Sequence, residues 1–230
     1  MLKSSFWLMG CSLLLFFQSS VFAQEQIDVI DLTPSTEDGF TSLFNGKDLT
    51  GWHGETEGYS VSAGTIVSSP DTRGNIYTKK EYQDFIFRFE FKLTPGANSG
   101  IGIHAPITGN PAYAGIELQV LDNTAEKYQQ LKPYQYHGSA YGISPAKRGA
   151  LKPVGEWNEQ EVIVRGSTIQ VRVNGQLILD TDLKKAAPNG KTMDERDHPG
   201  LARTTGYIAL LGHRSEVSFR NLRVKELLEL

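Results

Sequence analysis

From Phe85 to Leu93 the chain reads FIFRFEFKL, with Phe85, Phe87, Phe89, Phe91 and Leu93 on one side and Ile86, Arg88, Glu90 and Lys92 on the other. Strict alternation over nine residues is the signature of a strand with one buried face, and four phenylalanines in register demand a second layer to cover them. Other segments repeat the pattern. Gly115 to Leu121 places Ile116, Leu118 and Val120 against Glu117 and Gln119. Glu161–Arg165 and Thr168–Val173 flank Gly166-Ser167 as a hairpin, and Asn174-Gly175 is a two-residue turn into Leu177-Ile178-Leu179. Further strands are expected from Gly206 to about His213 and from Val217 to Val224. With no run of a dozen residues showing a helical face, the expected fold is all-β, a two-sheet sandwich.

The N-terminus carries one positive charge, Lys3, then an apolar run from Phe6 to Phe17 and small residues before Gln24. This is the pattern of a secretory signal peptide ending at Ala23, and the run falls short of the roughly 20 residues that span a bilayer. The expected location is therefore periplasmic or secreted, with no transmembrane segment. A competing reading takes Leu8-Met9-Gly10-Cys11 as a lipoprotein site, but five apolar residues follow Cys11, so Val21-Phe22-Ala23 is the better cleavage signal. Cys11 is the one cysteine, so cleavage after Ala23 excludes thiol chemistry and disulfides from the mature chain. Residues 24–39 read as a polar leader with Pro34, and residues 40–230 as one domain. The formal charge of -3 becomes -4 without Lys3, and the densest basic clusters are Lys184-Lys185 and Lys147-Arg148, so nucleic acid is not an expected partner.

Several long segments, in order, carry a family likeness: FTSLFNGKDLTGWHG at Phe40–Gly54, NIYTKKEYQDFIFRFEFKLTPGANSGIGIH at Asn75–His104, GIELQVLDN at Gly115–Asn123, HGSAYG at His137–Gly142, GEWNEQEVIVRGSTIQVRVNG at Gly155–Gly175 and VSFRNLRVKEL at Val217–Leu227. Over these the chain resembles the 3-keto-disaccharide hydrolases, formerly a domain of unknown function. The resemblance implies a concanavalin A-like jelly roll with a concave sheet that holds sugar, and a reaction on glycosides already oxidised at carbon 3. Relatives of this fold that only bind carbohydrate keep a non-catalytic binding module, or a partner-binding domain, as alternatives.

Candidate site residues follow from strand parity. On the strand from Asn98, Ile101 and Ile103 face the core, while Asn98, Gly100, Gly102 and His104 are expected on the opposite face, where bare glycines let a sugar ring approach. A short connection to the next strand is expected to set His104 beside Glu117 and Gln119, pairing an imidazole with a carboxylate. A ketone at carbon 3 acidifies the hydrogen on carbon 2, so the reaction calls for a base, a stabiliser of the enolate oxygen and a proton for the leaving oxygen. Glu117 or His104 is the expected base, and His213, His137 or Arg88 are candidates for the remaining roles. His137 and Tyr141 lie in a turn-rich stretch, Pro133 to Pro145, suited to closing over a cleft. Asp122-Asn123 suit sugar hydroxyls or a hard cation such as calcium, with no cofactor otherwise implied. Asp194, Glu195, Asp197 and His198 read as an exposed loop, and Trp52 and Trp157 as core or rim residues.

Overall fold

The computed structural model describes residues 39–71 and 73–227. The expected signal segment with Cys11, and the leader up to residue 38, lie outside the described residues. The strands are β1 (Thr41–Ser42), β2 (Trp52–Gly54), β3 (Tyr59–Ser62), β4 (Thr65–Ser68), β5 (Asn75–Tyr82), β6 (Phe85–Leu93), β7 (Asn98–Ala105), β8 (Ile116–Leu121), β9 (Trp157–Arg165), β10 (Thr168–Val173), β11 (Gln176–Asp182), β12 (Gly206–Gly212) and β13 (Val217–Glu226). Among the described residues they form an eight-stranded sheet in the order β11-β10-β9-β6-β13-β4-β3, with β1 added on β13, and a five-stranded sheet in the order β2-β5-β12-β7-β8. The described pairings are antiparallel, and the fold is an all-β sandwich. No helix of the described residues is long and apolar enough to cross a membrane.

The alternation in β6 determines which way the larger sheet faces. Phe85, Phe87, Phe89 and Phe91 are fully buried, and burying each ring contributes roughly 2–3 kcal/mol, an upper figure because an unfolded chain already hides part of its surface. Phe87 stacks on Phe89 at 4.8 Å between centroids. Val162, Val164 and Phe219 join them from β9 and β13, and Ile76, Ile101, Ile103, Leu118, Val120, Ile208 and Leu210 meet them from the five-stranded sheet. Trp52 also packs in this core, while Trp157 lies at the rim between Lys92 and Arg220.

The turns conform to their residues. Asn174 and Gly175 both take positive φ, at 50° and 80°, the backbone a tight β10–β11 hairpin requires.

On the five-stranded sheet, the alternate residues Tyr77, Ala105, Ala209 and Leu211 form a second, smaller apolar cluster, with Tyr207 against it. Ile208 and Leu210 point to the core and Tyr207, Ala209 and Leu211 away from it, so this cluster marks the sheet's outer face.

Candidate active site

Cross-strand register assembles the outer face. Glu117 on β8 is opposite Gly102 on β7, Gly102 opposite Ala209 on β12, Ala209 opposite Tyr77 on β5, and Tyr77 opposite His53 on β2. A parallel row runs Gln119, Gly100, Leu211, Asn75. Residues opposite one another in a ladder project to the same side, so a carboxylate, bare backbone, small side chains and an aromatic group share one surface.

The glycines make room for the acid. A Cβ on Gly100 would lie 2.9 Å from both Cγ and Cδ of Glu117, so the Glu117 side chain reaches across β7 into the space a side chain there would take. From the end of β12, one residue beyond Gly212, His213 approaches the same group, with Nε2 3.3 Å from Glu117 Oε1. The carboxylate is 4% exposed and the imidazole 38%, which places the acid in a low-dielectric surround and its partner at the mouth. Beside them Gln119 Nε2 donates to Asn98 Oδ1 at 2.6 Å and to the Ser99 carbonyl at 3.1 Å, fixing both amides on this face.

The free edge of β8 carries a wall. Tyr141 N–H donates to the Glu117 carbonyl at 2.9 Å, and Ala140 bridges Leu118. The Tyr141 hydroxyl accepts from Gln135 Nε2 at 3.1 Å, which leaves its own hydrogen to donate. Burial pushes its pKa up, and the charge of Glu117 adds to the rise, so it stays a donor. Next along the wall, Arg196 Nη1 donates to the Tyr113 hydroxyl, with the guanidinium 5.5 Å over the ring.

That arginine belongs to the segment expected to be an exposed loop, and here the structure differs. Glu195 and Asp197 are exposed, but the side chains of His198 and Asp194 are only 0% and 6% exposed, with Nε2 of the histidine 3.0 Å from Oδ1 of the acid. Burial would raise the Asp194 pKa, but hydrogen bonds from Thr192, the Arg196 backbone and His198 hold it below the usual carboxylate value. The pair packs on Gly142, where a Cβ would stand 2.9 Å from His198 Cε1 and φ is +75°, so only glycine fits. Through Gly142 the loop is braced against Tyr141.

Four expected positions fall elsewhere. His104 does not stand beside Glu117. Ala105 pairs with Tyr207 and Gly102 with Ala209, so β7 holds one extra residue, and His104 takes φ +48° there. This bulge reverses side-chain parity: Ala105 joins the outer face, while the His104 ring turns inward, edge-on to Phe85 at 6.2 Å with Nε2 2.7 Å from the Gln83 carbonyl. Burial lowers its pKa. His137 is interior as well, stacked on Phe91 at 5.0 Å and accepting from Leu121 N–H at Nδ1, and burial pushes its pKa down to about 4. Arg88 lies on the other sheet, bound to Glu161 Oε2 through Nε at 2.7 Å and Nη2 at 2.6 Å. Asp122 accepts from Gly96 N–H and from the backbone and hydroxyl of Thr124, so its carboxylate serves a turn, and the Asn123 side chain accepts from His137 N–H.

Glu117, Gln119, Asn98, His213 and Tyr141 are thus brought together, and Tyr113, Arg196, Tyr77, Tyr207 and His53 join them without having been singled out. Tyr207 was legible, since it alternates with Ile208 and Leu210. Arg196 left no signal, because only the folded loop puts it near Tyr113.

These features define a jelly-roll β-sandwich with an acid–imidazole pair on the outer face of its five-stranded sheet. The carbohydrate-binding module CBM66 from Bacillus subtilis shares the fold, at 14% identity and a TM-score of 0.53, covering 77% of this chain and 96% of that one. The chain belongs to the family of 3-keto-alpha-glucoside-1,2-lyase-like domains, whose family model matches residues 39–225. It is similar to a 3-keto-disaccharide hydrolase of Bacteroides thetaiotaomicron, 28% identical over 88% of this chain and 83% of that protein. It is also similar to a crystal structure from Parabacteroides distasonis named as a candidate glycosyl hydrolase, at 29% identity and a TM-score of 0.72, covering 82% of this chain and 99% of that one.

Proposed function

We propose that this chain cleaves glycosides carrying a ketone at carbon 3, by removing the hydrogen on carbon 2 and expelling the carbon 1 substituent. The observation that carries this reading is the buried Glu117 carboxylate, held 3.3 Å from His213 Nε2 and lying over the bare backbone of Gly100. Family membership and the name of the Bacteroides relative support the keto-sugar substrate, and the name of the Parabacteroides structure supports glycoside cleavage.

Glu117 takes the proton from carbon 2, and the electron pair of that bond forms the enolate of the carbon 3 ketone. The Tyr141 hydroxyl and the nearby Arg196 cation are the groups suited to the charge growing on that oxygen; one such donor is worth about 100-fold to 1,000-fold in rate. As the enolate collapses, the carbon 1–oxygen bond breaks and His213, entering the step protonated, gives its proton to the departing oxygen. Water then adds its oxygen to carbon 1 and its proton to His213, while Glu117, its proton exchanged with solvent in the meantime, gives a proton to carbon 2. Both side chains end as they began, and the net change is hydrolysis. General acid–base transfer of this kind contributes about 100-fold to 10,000-fold. Work outside the cytoplasm belongs to the same proposal and is supported by the apolar run from Phe6 to Phe17.

The test is turnover of a 3-keto-glucoside, alongside its unoxidised parent, in heavy water. Product from the keto substrate alone, bearing deuterium at carbon 2 from the first turnover, is the expected result. Saturable binding of the unoxidised glycan with no product from either compound would mark a binding module instead.

A further inference from the structure

The proton transfers leave a second buried carboxylate and imidazole without a task. The side chains of Asp194 and His198 lie in the interior, on the loop that follows residue 190. Taking such a pair out of water adds little stability, because desolvation offsets the attraction between its members, and apolar side chains of similar size fill a core at least as well. Its yield is direction. Asp194 Oδ1 accepts from the Thr192 hydroxyl at 2.8 Å, from His198 Nε2 at 3.0 Å and from Arg196 N–H at 3.2 Å, so one oxygen ties three points of the loop together.

The tie sets the course of Arg196. Between Asp194 and Arg196, Glu195 takes φ +59°, a left-handed conformation uncommon for a residue with a long side chain. The bond from Arg196 N–H to Asp194 closes the chain around that residue. The arginine side chain is thereby turned back over the Tyr113 ring, where Nη1 donates to the hydroxyl. His198 seats the same tyrosine, edge-on to its ring at 4.9 Å and 72°. On the other flank, Asp194 N–H donates to the Gly142 carbonyl at 3.2 Å, next to Tyr141. Arg196 lies within electrostatic reach of Tyr141, and Tyr141 within that of Glu117. One buried pair therefore sets the wall that faces the acid.

We infer that Asp194 and His198 are positioning residues, which act on the reaction through Arg196 and Tyr113 by holding the guanidinium where the enolate oxygen gathers charge. The inference rests on the reading of Arg196 as a partner of that oxygen, and the experiment separates the two. Release of a chromogenic aglycone from a 3-keto-glucoside by the unaltered chain reads the reaction. A cycle of Asp194→Asn, Arg196→Met and the double variant, each assayed well below its melting temperature, reads the positioning. Arg196→Met is expected to lower kcat about 100-fold. Asp194→Asn is expected to lower it about 30-fold with KM within about threefold, the mark of an interaction made as charge develops. The double variant is expected to stay within about threefold of Arg196→Met alone, because without the guanidinium nothing remains to be positioned.

A second pair of variants carries the same test if Asp194→Asn does not fold. His198→Leu keeps the bulk and drops the donor to Asp194, and is expected to lose about tenfold in kcat, again only where Arg196 is present. His198→Gln, whose amide nitrogen can take the place of Nε2, is expected to stay within about threefold of the unaltered chain. Losses that multiply in the double variants, an equal loss in His198→Gln and His198→Leu, or an unchanged kcat in Asp194→Asn would overturn the positioning role and leave Glu117 and His213 in theirs. No release by the unaltered chain would remove the reaction and the positioning role together.

Discussion

The carboxylate of Glu117 occupies the volume that a side chain on Gly100 would fill, with Gly100 on the neighbouring strand and two residues removed from the glycine directly opposite the acid. Gly100 has no positive φ, so alanine is conformationally acceptable there. The clash would be with the Glu117 side chain from Cγ outward and not with backbone, so the side chain has to turn aside about its own torsions. Gly100→Ala should therefore shift the melting temperature little while displacing the acid from His213 and from the floor. A displacement of about 1 Å costs about 100-fold in rate, and aglycone release measured beside a thermal melt will show whether activity is lost without stability.

Acid should weaken the fold over a defined window. His137 is fully buried with a pKa near 4, against 6.5 when unfolded. Between those values the unfolded chain holds a proton that the native chain does not, so stability falls as pH drops from 6.5 to 4 and this contribution levels off below. The full difference is on the order of 3 kcal/mol. His104, also lowered by burial, acts in the same direction. Urea unfolding at pH 7 and pH 4.5 should show the loss, and His137→Phe, which keeps a ring on Phe91, should flatten it.

Arg88 lies in an ion pair with Glu161 and over the ring of Phe40, on the sheet that lacks the acid–imidazole pair. Replacing it with methionine should cost about 1 kcal/mol of stability, the scale of a half-exposed pair. kcat/KM should stay within about twofold. A large kinetic loss with an unchanged KM would return Arg88 to the reaction.

What could be read in the chain was local. The parity of Phe85–Leu93 fixed a core face, the Asn174-Gly175 turn fixed a hairpin, and the alternation around Glu117 put it and Gln119 on the outer face with Gly100 and Gly102. Parity failed at His104 because a one-residue bulge arises from pairing with β12, about a hundred residues away, and nothing in GIGIHA announces it. The same distance hid the contact between Glu117 and His213, which depends on β12 lying beside β7. His137 and His198 misled for another reason. Histidine in a polar, turn-rich segment reads as a surface group, and only packing against Phe91 or Gly142 reveals a buried one.

The Glu117→Gln variant tests the chemistry most directly, since it keeps the shape of the side chain and removes its ability to take a proton. Release of a chromogenic aglycone from a 3-keto-glucoside should fall about 1,000-fold or more in kcat, with ligand affinity retained by calorimetry. Turnover equal to that of the unaltered chain would show that the proton on carbon 2 leaves to some other group.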